Sequence, residues 1–170
     1  MKDDVEIIEK EKEFTLEIAA KTTMPKLPGT IKNSYIKITD YMPKVNVKPT
    51  EPPFVRYTNL NWEELNKQNK FIGFLKIFTQ KWDMLVGFPV KNNLPGEGEI
   101  VAGYIPAGRY VKAFHKGPYH KVGDTYKKMI AFIEKENLKY GDECIEYYLN
   151  DPKSTKKEDL ETIVMIPIKD

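Results

Sequence analysis

Apolar residues recur along this chain with two spacings, and the order of those spacings repeats. Phe14–Thr22 (FTLEIAAKT) places Phe14, Leu16, Ile18 and Ala20 at every second position, the mark of a half-buried strand. Pro25, Pro28 and Gly29 then break the pattern. Thr30–Tyr41 carries Ile31, Tyr35 and Ile38 at helical spacing, which predicts one buried stripe. Pro43 ends that helix, a loop rich in proline and threonine runs to Pro53, and Phe54–Thr58 (FVRYT) and Met84–Val90 (MLVGFPV) read as strands. The second half has the same order. Ile100–His115 is a long strand segment interrupted near Pro106–Gly108. Gly117-Pro118 opens a helix, proline being suited to a first turn, and Val122, Tyr126, Met129, Ile130 and Ile133 form its buried face. Gly141 ends the connection, and Cys144–Leu149 and Thr162–Ile168 close the chain as strands. Between them, Asn150-Asp151-Pro152 and the lysine-rich Lys153–Lys157 have the chemistry of a solvated turn rather than of a phosphate site. Ahead of all this, the first dozen residues read as a charged, partly frayed lead-in.

The two halves are copies. Ile31, Tyr35 and Ile38 recur 91 positions later as Val122, Tyr126 and Met129, and the same offset carries Tyr57 onto Tyr148. Each copy ends on an apolar strand with a proline, Pro89 in one and Pro167 in the other. The expected architecture is α+β: two βαββ units related by a pseudo-twofold axis, with helices packed on one face of a largely antiparallel sheet. A single domain spans 1–170, the first copy covering about 14–90 and the second about 100–168. The first copy carries 13 extra residues within 62–82, rich in large apolar groups: Trp62, Leu65, Phe71, Ile72, Phe74, Leu75, Ile77, Phe78 and Trp82. They read as an added helix or flap, which either plugs one end of the core or walls a ligand cleft. The seam between the copies is the natural place for such a cleft.

Composition narrows the field. The chain has 170 residues, enough to bury a sizeable core. A hydrophobic fraction of 41% with 31% charged residues fits a soluble globular protein. The net charge of +2 gives no strong pull toward nucleic acid or membrane. The cations are almost all lysine, with Arg56 and Arg109 as the two arginines, a balance that disfavours a surface reading guanine edges. Cys144 is the single cysteine, so neither an internal disulfide nor a multi-cysteine metal site can form. The opening MKDDVEIIEKEKEF has no apolar run for a signal peptide or a membrane span. The expected setting is cytoplasmic. No metal is expected: His115 and His120 lie five apart with no third ligand at suitable spacing. A strand cysteine is ordinarily a small buried hydrophobe, which speaks against a thiol enzyme built on Cys144.

Several stretches, taken together, resemble the GyrI-like effector-binding family, the small-molecule domain also found at the C-terminus of some AraC- and MerR-type regulators. They are Ile105-Pro106-Ala107-Gly108-Arg109-Tyr110, His115-Lys116-Gly117-Pro118-Tyr119, Ile145-Glu146-Tyr147-Tyr148-Leu149-Asn150-Asp151-Pro152 and Ile166-Pro167-Ile168, with Pro52-Pro53-Phe54 through Tyr57 and Gly87-Phe88-Pro89-Val90 in the first half. The likeness runs over nearly the whole chain, although each motif is short. It implies a cleft near the pseudo-axis that takes bulky, aromatic or cationic molecules, in a free-standing effector- or toxin-binding protein, because too few residues precede the domain for a helix-turn-helix. A regulatory role would then need a separate DNA-binding or protein partner. The family also implies two alternatives: a hydrolase of strained, cyclopropane-containing molecules, and a protein–protein inhibitor such as a gyrase modulator, which would present an exposed acidic or apolar patch. The fold further resembles that of SOUL-type haem proteins, but no axial ligand is apparent and no cofactor is expected.

Within this frame Glu146 is the leading site residue. Alternation sets Cys144, Glu146 and Tyr148 on one strand face and Ile145, Tyr147 and Leu149 on the other, the second set reading as the helix-packed core. An acid inside a strand is costly to bury without a partner. The resemblance places it in the pocket, where a carboxylate attracts a lipophilic cation and aromatic faces stack on it. The ordinary alternative is a half-exposed glutamate paired with a lysine. Tyr57 and Tyr148, as symmetry mates, are expected to face each other across the cleft, with Tyr119 near the helix start and Trp82 and Trp62 as walls; core packing is the alternative for each. In a hydrolase, Glu146 would be the general base and Tyr148 or Tyr57 the proton donor. Many relatives carry a polar residue in the strand before each terminal proline; Leu85 and Ile163 occupy those positions here, which implies a more apolar cleft.

Overall fold

The structure, a computed structural model, describes residues 5–67 and 79–169. Its elements run β1 (Val5–Lys10), β2 (Glu13–Thr23), α1 (Leu27–Tyr41), β3 (Phe54–Thr58), α2 (Trp62–Lys67), β4 (Lys81–Val90), β5 (Ile100–Ile105), β6 (Gly108–Lys116), α3 (Val122–Lys135), β7 (Lys139–Tyr140), β8 (Cys144–Tyr148) and β9 (Glu161–Lys169). The strands form the expected antiparallel sheet with helices packed on it, in the order β1-β6-β9-β8-β3-β4-β2-β5, with β7 beside β9. Among the described residues no helix is long and apolar enough to cross a membrane.

That order reads as two equivalent halves back to back. β2-α1-β3-β4 matches β6-α3-β8-β9, and β3 meets β8 in the middle with Val55 opposite Glu146 and Tyr57 opposite Cys144. The 91-residue offset maps Val55 onto Glu146, so this cross-strand pair is its own mate and the pseudo-twofold axis passes between them. Outward from it the registers agree: Tyr57 pairs with Met84 in one half, and Tyr148 with Thr162 in the other.

The sheet cannot be flat. β5 and β6 stand six strand spacings apart in the order, roughly 29 Å at ~4.8 Å per strand, yet only Pro106 and Ala107 join them. Two residues span at most about 10 Å, so the sheet curls until its ends approach. The curl buries both faces. On one, Val111, Ala113, Cys144, Val164 and Ile166 pack with Met129, Ile130 and Ile133 of α3, while Leu16, Ile18 and Phe88 pack with Ile38 and Tyr41 of α1. On the other, Phe54, Ile105, Tyr110, Ile145, Tyr147 and Met165 form a separate cluster.

Three expectations change here. Alternation divides β8 correctly, but the helix-packed set is Cys144, Glu146 and Tyr148, not Ile145, Tyr147 and Leu149. With both faces buried, apolar character alone cannot say which side the helices take. For the same reason Leu85 and Ile163 face away from Glu146. Ile163 packs in the Tyr147 cluster and Leu85 pairs with Arg56, so neither sets the polarity around the glutamate. Residues 5–10, read as a lead-in, form the edge strand β1, paired from Val5–Ala113 to Lys10–Gly108. Its charged Glu6, Glu9 and Lys10 suit an exposed edge. Within the insertion, α2 is described, whereas Phe71, Ile72, Phe74, Leu75, Ile77 and Phe78 lie outside the described residues.

Strand spacing near the axis tolerates no added bulk at Gly87, which pairs with Phe54 on one side and Glu17 on the other. A Cβ there would stand 2.4 Å from the Leu16 carbonyl oxygen, and backbone cannot step aside. Gly87→Ala is expected to cost about 1–3 kcal/mol of stability. Gly29→Ala in the first turn of α1, where a Cβ meets nothing within 4 Å, is expected to be neutral or stabilising by up to about 1 kcal/mol. Urea unfolding compares the two, and equal stabilities would contradict the tight spacing.

Candidate functional site

Four elements deliver side chains to the place where the repeats meet. β8 brings Glu146 and Tyr148, β3 brings Tyr57, α3 brings Tyr126 and α1 brings Tyr35. Tyr35 and Tyr126 are mates under the 91-residue offset, just as Tyr57 and Tyr148 are, so two symmetric pairs of phenols surround one glutamate. Val55 occupies the glutamate's place in the other repeat.

Glu146 is 8% exposed and its carboxylate is held at both oxygens. Tyr126 donates its hydroxyl to Oε1 at 2.7 Å and Tyr148 donates to Oε2 at 2.7 Å. Because the Tyr126 proton is spent on the carboxylate, the Cys144 thiol, 3.1 Å away, is the donor to the Tyr126 oxygen. Tyr57 lies beside this network, its ring edge-on to Trp82. Tyr35 donates outside this network, to the Phe54 carbonyl at 3.0 Å. The protons of Tyr148, Tyr126 and Cys144 thus run toward Glu146.

Burial sets the titration of the group. It raises the Glu146 pKa above the ordinary 4.5, against the opposing pull of the hydrogen bonds from Tyr126 and Tyr148 and of nearby His115. The balance is a matter of size: an ion taken out of water costs several kcal/mol, and two charge-assisted hydrogen bonds return about 3–6. Burial and then the field of Glu146 push Tyr35, Tyr57 and Tyr148 well above the phenol range, and Tyr126 rises through burial, Cys144 and Glu146. The Cys144 thiol is raised by burial first and then by the field of Glu146. At neutral pH these four phenols and the thiol stay protonated, so within this cluster Glu146 is the group that can carry a negative charge.

The structure brings Glu146, Tyr148, Tyr57, Tyr119 and Trp82 together. Tyr119, in the turn before α3 and 37% exposed, sets its ring 5.4 Å from that of Tyr148 at 68°. Trp82 lies edge-on to Tyr57 at 6.2 Å. Trp62 stands one layer back. Its indole N–H donates to the Gly141 carbonyl at 2.8 Å, and its ring lies 5.9 Å from Tyr126, which it supports from behind. Tyr126 and Tyr35 are the residues that sequence reasoning assigned to the core stripe of each helix. The signal that would have found them was present: the offset that pairs Tyr57 with Tyr148 also pairs them. His115, no ligand candidate, holds the start of α3 in place, with Nδ1 2.9 Å from the Thr125 hydroxyl and Nε2 3.2 Å from the Pro118 carbonyl.

The comparisons with known proteins agree on the fold that carries this geometry. The family model of the GyrI-like small molecule binding domain matches residues 76–169, more than half of the chain. Among solved structures, the C-terminal domain of EcmrR is similar with a TM-score of 0.70 at 17% identity, over 99% of this chain and 99% of that one. A hydrolase from Listeria innocua aligns with a TM-score of 0.64 at 18% identity, over 99% and 93% of the two chains. SAV2435 bound to tetraphenylphosphonium aligns with a TM-score of 0.64 at 10% identity, over 98% and 94%. At such identities the likeness is one of fold. No curated protein matches the chain in sequence.

A carboxyl whose pKa is raised on folding holds its proton more tightly in the folded state. Its contribution to stability is therefore full below the ordinary 4.5 and is lost as pH rises through the raised value. Ionising Glu146 therefore burdens the fold. Glu146→Gln, which keeps the shape and removes the charge, is expected to unfold at an equal or higher temperature than wild type near pH 7, the advantage shrinking toward pH 4. Calorimetry across that range measures it, and a glutamine variant clearly less stable near pH 7 would show that the ionised carboxylate is favoured where it sits.

Proposed function

The chain belongs to the GyrI-like small molecule binding domain family, and on that premise we propose that it binds bulky aromatic or lipophilic cationic molecules at the seam of its two repeats, over Glu146. The carrying observation is the convergence of donors on that one carboxylate. A site whose protons are turned inward offers a ligand lone pairs, ring faces and a buried negative charge. That is a poor setting for an anion and a good one for a cation without hydrogen-bond donors. Aromatic faces close to such a cation add about 0.5–2 kcal/mol each, and the carboxylate adds about 4 kcal/mol at 4 Å in a medium of effective dielectric 20. Tyr57, Tyr148, Tyr119 and Trp82 supply the faces nearest the acid, Tyr35 and Tyr126 the flanks, and Trp62 the support. The tetraphenylphosphonium carried by SAV2435, a protein of the same fold, is a molecule of this class. In the cell such a protein sequesters toxic compounds or senses them for a separate regulator.

A second reading rests on the Tyr148–Glu146 contact. A carboxyl with a raised pKa beside a phenol at 2.7 Å has the form of a general base with a proton donor, and a hydrolase from Listeria innocua shares the fold. In that reading Glu146 activates water against a strained ring and Tyr148 protonates the leaving group. Turnover of a cyclopropane-containing electrophile that vanishes in Glu146→Gln would favour it over simple binding.

Tetraphenylphosphonium titration followed by tryptophan fluorescence tests the first reading, with Trp82 beside Tyr57 as reporter. Saturable binding is expected, weakened at least about tenfold by Glu146→Gln, roughly 1.4 kcal/mol. Affinity is also expected to fall on acidification, beginning above the ordinary carboxylate range, because protonation removes the attracting charge. Binding indifferent to both the substitution and pH would refute the charged site.

A further inference from the structure

Among the described residues, one polar group on the Glu146 face is left without a partner. Thr162 is 1% exposed and its hydroxyl has no hydrogen bond. Its place in the sheet follows from register. On the helix-covered face, His115 of β6, Thr162 of β9 and Tyr148 of β8 form one row across three adjacent strands. Both neighbours are already committed, His115 to Thr125 and Pro118, and Tyr148 to Glu146. The mate of Thr162 in the first repeat is Met84 and that of His115 is Ala20, so this polar row has no counterpart across the axis. A buried hydroxyl without a partner is unfavourable by about 1–3 kcal/mol, and such a group calls for an explanation.

We propose that Thr162 is the hydrogen-bond donor with which the site selects among its cations, donating to an acceptor oxygen of the bound molecule. The proposal rests on the reading of Glu146 as the cation anchor and specifies the ligand further. Glu146 pairs with Val164 while Thr162 pairs with Tyr148, which makes the acid and the hydroxyl diagonal neighbours. Such neighbours are about 7–8 Å apart. The preferred ligand is accordingly a lipophilic cation that also carries a carbonyl or ether oxygen. Tyr119, exposed, rests against the Tyr148 ring of that row.

The experiment compares two probes, tetraphenylphosphonium and (4-acetylphenyl)triphenylphosphonium, the same cation with one added acceptor, on wild type, Thr162→Val and Thr162→Ser. Wild type is expected to bind the acetyl probe about tenfold more tightly. Thr162→Val, of the same shape, is expected to lose that preference while keeping its affinity for tetraphenylphosphonium, and Thr162→Ser, which retains the hydroxyl, to keep the preference. Equal affinities of wild type for the two probes would overturn the proposal. So would a preference that survives in Thr162→Val, particularly alongside a raised melting temperature, the signature of a hydroxyl that is merely buried. If tetraphenylphosphonium does not bind wild type at all, the failure lies with the cation site itself.

Discussion

The pairing of β3 with β8 is the constraint on which the rest of this molecule depends. It joins the two repeats into one continuous sheet, and it does so with Val55 and Glu146 directly opposite each other on the pseudo-twofold axis. A carboxylate at that position lies between two helices and at the centre of a curled sheet, where water cannot reach it freely. It must be satisfied from within, and the duplication makes that possible: the two tyrosine pairs generated by the repeat surround the axis, and Tyr126 and Tyr148 of the second repeat give their protons to the acid. The continuity of the sheet and the chemistry at its centre therefore both follow from one strand pair.

The order of donors matters as much as their number. Had Tyr126 or Tyr148 donated elsewhere, the site would present O–H groups outward and suit an oxyanion. Because Cys144 donates into Tyr126, and Tyr126 and Tyr148 donate into the carboxylate, the polarity of these groups runs inward. Trp62 secures the arrangement at one remove by fixing Tyr126 from behind, with its own N–H anchored on Gly141. The described part of the insertion thus serves the site through the core, as a plug would.

Much of this was legible in the chain. The 91-residue offset predicted two βαββ units, the antiparallel sheet and the equivalence of Tyr57 and Tyr148, because local periodicity and proline positions set those elements. What alternation could not supply was the side on which the helices lie. In Cys144–Tyr148 both sets of side chains are largely apolar, and both are buried because a two-residue link between β5 and β6 curls the sheet, a property of topology rather than of any segment. The same ambiguity misdirected Leu85 and Ile163. Tyr35 and Tyr126 were read as core for a related reason: an aromatic at helical spacing packs well, and its hydroxyl finds a function only when a strand distant in sequence carries an acid beneath it. The edge strand β1 was hidden by its charges, which an edge tolerates and a central strand does not.

The departure from symmetry at the axis is itself informative. Duplication offers two equivalent positions for an acid, and this chain fills one with glutamate and the other with valine. Two carboxylates directly opposite on an antiparallel pair would lie about 5 Å apart, and at an effective dielectric of 20 their repulsion is roughly 3 kcal/mol. One of them would then hold its proton at neutral pH, so the second acid would add polarity without adding charge. A single glutamate against an apolar partner, with two phenols donating to it, concentrates the polarity of the seam on one residue. The polar row of His115, Thr162 and Tyr148 lies on the side of that glutamate, and Ala20, Met84 and Tyr57 on the side of the valine. The repeat built a symmetric frame; the polar chemistry within it is one-sided.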